Sequence, residues 1–140
     1  MIRKLQLSDH QTLKTWTQHF QPTPGFYWTP QELFDSWKVT DIWGSFEADH
    51  LIACLCLQPI GDSAEILWLA TWPGKTRQGH MKGLLDNAKS HFTTLNLEVH
   101  QSNEGAQKLY LKAGFKEVYV RKNYYKDGGN AVLMTWTAGL

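Results

Sequence analysis

Cysteine is scarce in this chain: Cys54 and Cys56 are the only two in 140 residues. Two positions apart on a strand, they point the same way and are not placed for an unstrained bridge, so reduced thiols in a core or half-buried strand are expected. No compact set of Cys and His surrounds them, and no metal is expected. Neither sign of charge is in excess. Fourteen Lys and Arg oppose thirteen Asp and Glu, a net charge of +1, which provides no global field to draw the protein onto nucleic acid or anionic lipid. No apolar run approaches the roughly 20 residues of a membrane span, and the opening MIRKLQLSDH lacks the apolar stretch of a signal peptide. A cytoplasmic location is therefore expected, with neither nucleic acid nor membrane as partner. Internal repeats and low-complexity segments are also missing, so the elements must share one continuous core. What is present is a 42% hydrophobic composition with 13% aromatics, including seven tryptophans. That suffices for one core of ordinary size and is too short for two comfortable domains, so a single domain over 1–140 is expected.

The pattern of elements is mixed. A short strand over Ile2 to Leu5 is followed by Ser8, expected as an N-cap, and then by Leu13, Trp16 and Phe20 at helical spacing. Pro22, Pro24 and Gly25 make an irregular loop. Thr29-Pro30-Gln31-Glu32 has the form of a capping box with proline at the first helical position, which predicts a second helix from Pro30. Three strands follow, near Ile42 to Glu47, Leu51 to Gln58 and Ala64 to Thr71, with turns at Ala48-Asp49-His50 and Gly61-Asp62-Ser63; an antiparallel meander is expected. After Thr71 the stretch WPGKTRQGHMKG breaks the strand. Met81, Leu85, Ala88 and Phe92 then recur at helical spacing. Leu95, Leu97 and Val99 alternate, a helix from about Asn103 ends with Gly114 at C′, and Phe115 to Arg121 and Ala131 to Trp136 close as strands. The second half thus begins with a βαβ unit, whose two strands should be parallel neighbours.

Several segments carry chemistry. Helix N-termini leave backbone N–H groups unpaired at a positive dipole end, so the loop Arg77-Gln78-Gly79-His80-Met81-Lys82 is a natural pyrophosphate seat, with Arg77 and Lys82 adding full charge. Gly74-Lys75-Thr76 imitates the last three residues of a nucleotide P-loop, yet the first glycine of that motif would fall at Leu69, and an NTPase is rejected; Lys75 reads as a solvated loop charge. Glu98 alternates with Leu97 and Val99 and so faces away from the apolar side of its strand, together with Asn96 and His100. Its plain alternative is an exposed glutamate or one paired with His100 or a lysine. His100 itself reads as a solvent-facing strand residue. Tyr110, four positions after Ala106, reads either as a helix aromatic at the core edge or as a proton donor. Tyr124 and Tyr125 lie in the polar turn Asn123 to Asn130, an odd place for two aromatics unless they clamp on the core or cover a groove or partner. Of the tryptophans, Trp68 reads as core, and Trp72 as an aromatic wall at the end of its strand.

The stretches AEILWLATWPGKTRQGHMKGLL, LEVHQSNEGAQKLYLKAGF and RKNYYKDGGNAVLM together resemble the GNAT acetyltransferases, and among them the RimI-type N-terminal protein (ribosomal-protein-alanine) acetyltransferases. The resemblance covers roughly positions 64 to 134. It is most specific in Glu98, Asn103, Ala106, Leu109, Tyr110, Gly114, Phe115 and the run Arg121-Lys122-Asn123-Tyr124-Tyr125. It implies an α/β (α+β) fold with a mostly antiparallel central sheet, about four flanking helices and a splayed parallel strand pair at a cofactor cleft. It also implies acetyl-CoA as cosubstrate and a primary amine as acceptor, a ribosomal or other protein N-terminus first, with a small-molecule amine or lysine acceptor, or a non-catalytic CoA-binding module, as the rivals. Leu69, Ala70 and Thr71 would line the pantetheine, Arg77 to Lys82 would hold the pyrophosphate, and Asn103 would contact the cofactor. Glu98 would be the general base, through water, and Tyr110 the acid toward the departing thiolate. Tyr124 and Tyr125 would frame the acceptor, with Tyr27 and Trp28 as the opposite wall and Trp72 as a further contact. A monomer or weak homodimer is expected.

The chain departs from the family in the phosphate loop. The family's first, fourth and sixth motif positions favour Gln or Arg, Gly and Gly; here they are Thr76, Gly79 and Met81. Met81 either crowds the phosphates, at a cost of about 1 kcal/mol or more where φ > 0 is needed, or is the first core residue of the helix.

Overall fold

The computed structural model describes residues 1–18, 32 and 35–139. Seven strands form one sheet: β1 (Ile2–Lys4), β2 (Asp41–Glu47), β3 (His50–Ile60), β4 (Ser63–Thr71), β5 (Thr94–His100), β6 (Lys116–Arg121) and β7 (Ala131–Thr137). Their order is β1-β2-β3-β4-β5-β7-β6. The described residues also hold a 3-10 turn over Leu7–Asp9 and, described end to end, the α-helices α1 (His10–Thr17), α2 (His80–His91) and α3 (Glu104–Lys112). The start of the helix expected from Pro30, and the expected acceptor residues Tyr27 and Trp28, lie outside the described residues, among which Glu32, Asp35 and Ser36 are helical.

The expected meander is present. Turns at Ala48, with φ 51°, and at Gly61, with φ 61°, join β2 to β3 and β3 to β4 as antiparallel neighbours. Positive φ suits two-residue hairpins because the backbone twist then matches that of the strands. The βαβ expectation also holds, since β4 and β5 pair in parallel through α2.

Two apolar clusters cover the two faces of the sheet. On one face Leu84, Leu85 and Ala88 of α2 and Tyr110 of α3 meet Ala64, Ile66, Leu95, Leu97, Val99, Val132 and Met134. On the other, Leu13 and Trp16 of α1 meet Ile42, Cys54, Cys56 and Trp68. Each fully buried Leu or Ile contributes about 1.5–3 kcal/mol, which fixes the helices to their faces. Burial pushes the Cys54 thiol well up and Cys56 to about 12, so both stay protonated core groups.

The expected N-cap at Ser8 is corrected. Ser8 sits inside the 3-10 turn, and Asp9 is the N-cap of α1. Asp9 takes two hydrogen bonds of 2.9 Å from the Arg3 guanidinium and one of 2.8 Å from the Gln6 N–H. The Arg3 hydrogen bond is the main reason its carboxyl lies below the ordinary carboxylate range. This latch joins β1 to the start of α1.

Candidate functional site

The cleft begins where two strands part. Pairing of β4 with β5 runs from Ser63↔Thr94 to Ile66↔Leu97 and no further, although β4 continues to Thr71 and β5 to His100. Beyond that point β4 stays paired with β3, and β5 with β7. The parting coincides with a bulge: Cys56 opposes Trp68 while Leu57 opposes Ile66, which leaves Leu67 extra. A bulge bends its strand and sharpens its twist, which turns the end of β4 away from β5. It also flips the side-chain alternation. Ala64 and Ile66 lie in the α2-side cluster, whereas Trp68, Ala70 and Trp72 pack on the α1 side and Leu69 returns to the α2 side. Trp68 is core, as expected.

The same shift sets the backbone. The Trp72 N–H donates to Ile52 O at 2.7 Å, toward β3. With a period of two, Ala70 also turns its backbone groups to β3, while those of Leu69 and Thr71 face the gap. Of the three strand residues expected along the cofactor arm, Leu69 and Thr71 therefore present their polar backbone groups to the cleft.

At the mouth stands the N-terminus of α2. Gly79 is its N-cap at φ 85° and ψ 0°, in the left-handed region where glycine carries no Cβ penalty. No side chain caps this end. Gly83 N–H is the first to bond back, to Gly79 O at 2.9 Å, so the N–H groups of His80, Met81 and Lys82 are left to the helix's N-terminal face. Arg77 and Gln78 are exposed just before it, Arg77 itself at φ 63°. The His80 ring is held from both sides, by Ser45 Oγ at 2.8 Å and Glu47 at 3.0 Å, and Glu47 also receives Lys75 Nζ at 3.2 Å. Lys75 is thus a solvated loop charge, as expected, that also pairs with Glu47 at the surface. Lys82 pairs with Asp86 one turn on at 2.8 Å.

Met81 resolves to the second of its two readings. It is 9% exposed and belongs to the core cluster with Leu84, Leu85 and Ala88. Its place in α2 asks for no positive φ. Met81→Gly is accordingly expected to lower stability by about 3 kcal/mol, from lost burial and added helix entropy, without tightening coenzyme binding; urea melts and calorimetric titration check both halves.

The two residues expected to carry proton chemistry stand on β5 and α3. Glu98 lies on the β5 face opposite the α2-side core and lines a groove of about 460 Å³ with Glu65, Asn96, Arg121 and Thr135. Its side chain is 23% exposed and sits 3.7 Å from Arg121 Nη1. Its ion-pair partner is thus an arginine rather than His100 or a lysine. Tyr110 is fixed by the end of α3. Phe115 N–H donates to Tyr110 O at 2.9 Å and Gly114 N–H to Leu111 O at 3.1 Å, with Gly114 at φ 96°: a Schellman termination that also lays Phe115 against the Tyr110 ring, centroids 5.7 Å apart. Burial first, and then the nearby Tyr125, push the Tyr110 phenol well above its ordinary range. Asn103 caps α3, its Oδ1 accepting from Ala106 N–H at 3.2 Å.

The turn between β6 and β7 closes the arrangement. Tyr124, half exposed, has its phenol raised by the Glu98 charge first, and then by burial and a hydrogen bond to Glu98. The Arg121 guanidinium lies 5.4 Å from the Tyr124 ring centre. Tyr125 meets Tyr124 edge-on at 5.2 Å and stacks on His100 at 4.9 Å. The solvent-facing reading of His100 is therefore corrected: it is 5% exposed, covered by a turn more than twenty residues later in the chain. Arg121, beside Glu98, and His100, beneath Tyr125, are neighbours of these groups that pattern alone did not bring together with them. Trp72 lies elsewhere, 6.2 Å from Trp16, in a groove of about 590 Å³ with Thr12, Asp49 and Leu51. Among the described residues there is no group of three or more His, Cys, Asp or Glu able to hold a metal ion, and no helix long and apolar enough to cross a membrane.

Comparison with known proteins places this geometry. The ribosomal protein bS18-alanine N-acetyltransferase of Haemophilus ducreyi is 42% identical over 97 residues, 63% of this chain and 67% of that protein. The enzyme of that name from Escherichia coli K12 is 38% identical over 73 residues, so the match spans about half the length of each. The crystal structure of the Escherichia coli ribosomal-protein-S18-alanine N-acetyltransferase superposes with a TM-score of 0.81 at 26% identity, covering 100% of this chain and 94% of that one. The sequence model described as the acetyltransferase (GNAT) family matches residues 4–115, most of the chain, and the protein belongs to that family.

Proposed function

We propose that this chain transfers the acetyl group of acetyl-CoA to the α-amine of a protein N-terminus, with ribosomal protein bS18 as the first candidate acceptor, in the cytoplasm and as a single catalytic domain. The observation that carries the reading is the parted β4–β5 pair, with an uncapped helix N-terminus at one end and Glu98 and Tyr110 on its flanks. The relatives' names supply the acceptor class.

The residues present suit the coenzyme. The free N–H groups of His80, Met81 and Lys82, with Arg77 beside them, would hold its pyrophosphate. The open backbone of Leu69 and Thr71 would take its pantetheine amides, with Asn103 a further contact. When bound, it supplies an activated acetyl group as a thioester. Glu98 would take the proton that the attacking amine must lose, through a water. An α-amine of pKa 7.7–8.0 is about 10–20% neutral at pH 7, so the cost of presenting it as free amine is only about 1 kcal/mol. Tyr110, kept protonated by its burial, would donate to the departing sulfur. Tyr124 and Tyr125 would wall the acceptor, with Tyr27 and Trp28 as further candidate contacts.

The test is to mix pure protein, acetyl-CoA and peptides with free N-terminal alanine and other residues, and to follow thiol release and peptide mass. A gain of one acetyl at the N-terminal amine is the expected result. Silence on peptides together with turnover on polyamines would give the site to small amines, and silence on all amines with tight CoA binding would make it a binding module.

A further inference from the structure

The turn that carries Tyr124 and Tyr125 is fastened to β5 through one buried histidine. His100 Nε2 lies 2.9 and 3.1 Å from the two carboxylate oxygens of Asp127. Its Nδ1 lies 3.1 Å from Ser102 N and 2.8 Å from Ser102 Oγ. A backbone N–H can only donate, so Nδ1 accepts, and the ring proton belongs to Nε2, where it points at Asp127. The face of the ring is covered by Tyr125 at 19° between planes.

Gly129 completes the fit. A Cβ on it would overlap the His100 imidazole at Nε2 and would stand 2.8 Å from Asp127 Oδ1. The turn thus runs its backbone against the ring, which only glycine allows. It is also closed on itself: Tyr124 and Tyr125 N–H both donate to Gly129 O at 3.0 and 3.1 Å, Gly128 N–H to Tyr125 O at 2.9 Å, and Gly129 N–H to Asp127 Oδ1 at 2.7 Å. Whatever fixes Gly129 and Asp127 therefore fixes both tyrosines. One of these tyrosines reaches Glu98 and the other adjoins Tyr110.

Resting on the functional reading above, we propose that His100 is a positioning residue: with Asp127 and Gly129 it clamps the β6–β7 turn shut, so that Tyr124 and Tyr125 form a preorganised wall for the acceptor chain. The coenzyme side of the cleft, at α2 and the end of β4, is outside the clamp. Its loss should therefore weaken the acceptor side and spare coenzyme binding.

The variants are Asp127→Ala, Gly129→Ala and, as the conservative control, His100→Gln, whose side-chain amide keeps a donor for Asp127. For the two turn variants, loss of a charge-assisted hydrogen bond or of the close approach is expected to raise the peptide KM by about tenfold, with acetyl-CoA affinity unchanged. His100→Gln should recover part of that loss, whereas His100→Ala should not. Amide exchange at Gly128 and at Gln101, whose N–H donates to Asn130 O at 3.0 Å, should quicken in the same variants. A peptide KM within twofold of the parent, or an equal loss of acetyl-CoA affinity, overturns the proposal. If the parent acetylates no peptide, the functional reading fails and the acceptor wall with it, while the exchange rates still report whether the turn is clamped.

Discussion

Replacing Tyr110 with phenylalanine is expected to slow acetyl transfer by about 100-fold while leaving acetyl-CoA affinity nearly unchanged. The substitution keeps the ring against Phe115 and leaves the Schellman termination of α3 intact, since both depend on backbone and aromatic packing and not on the hydroxyl. Only the proton donor is removed. Its pKa direction fixes the pH behaviour. Burial raises the phenol above the ordinary value of 10, so it keeps its proton throughout the neutral and mildly alkaline range. Full transfer to a thiolate less basic than this raised phenolate is then uphill, so a strong hydrogen bond to the leaving sulfur carries much of the effect. Two consequences can be measured. The rate of the parent should show no descending limb from this group below pH ~10, and single-turnover transfer should fall in the phenylalanine variant as much as steady-state kcat does. A variant within threefold of the parent would take the acid role from Tyr110.

How much of this was legible beforehand follows the reach of each signal. Gly114 at C′ and Asn103 at the head of α3 are local devices, written within five residues of the groups they bond, and both are where their pattern placed them. The parallel neighbours β4 and β5 follow from chain connectivity and the handedness of βαβ units. The bulge at Leu67 has no such mark, because the residues around it are ordinary strand formers and the irregularity is defined by the register with β3. Its effect on facing, Trp68 toward α1 and Leu69 toward α2, was hidden with it. His100 and Ser8 failed in the same way. The turn that buries His100 arrives from elsewhere in the chain, and the 3-10 turn that moves the start of α1 from Ser8 to Asp9 is not a pattern of apolar spacing. Met81 shows the reverse case: helical spacing with Leu85 and Ala88 already carried its core role, and the family's glycine at that place was the misleading signal.

Glu98→Gln is the second large effect, and its size should depend on pH. The two side chains have the same shape, so the groove with Asn96, Arg121 and Thr135 is kept and only the proton acceptor is lost. At pH 7 the α-amine is mostly ammonium, and the variant is expected to be slower by about 100-fold. As pH rises through the amine's own pKa, the acceptor arrives already neutral and the carboxylate has less to remove. The deficit should therefore narrow above pH ~9, and it should widen below pH 7. The ion pair with Arg121, at 3.7 Å and with the arginine half exposed, is worth too little to confuse the reading. Tyr124 offers an internal control. Its phenol is raised chiefly by the Glu98 charge, so in Glu98→Gln it should titrate closer to its ordinary value, visible as a phenolate absorbance change at lower pH than in the parent. A rate deficit that stays constant from pH 6 to pH ~9.5, with the Tyr124 titration moved as expected, would show that Glu98 sets the field of the groove without taking the proton.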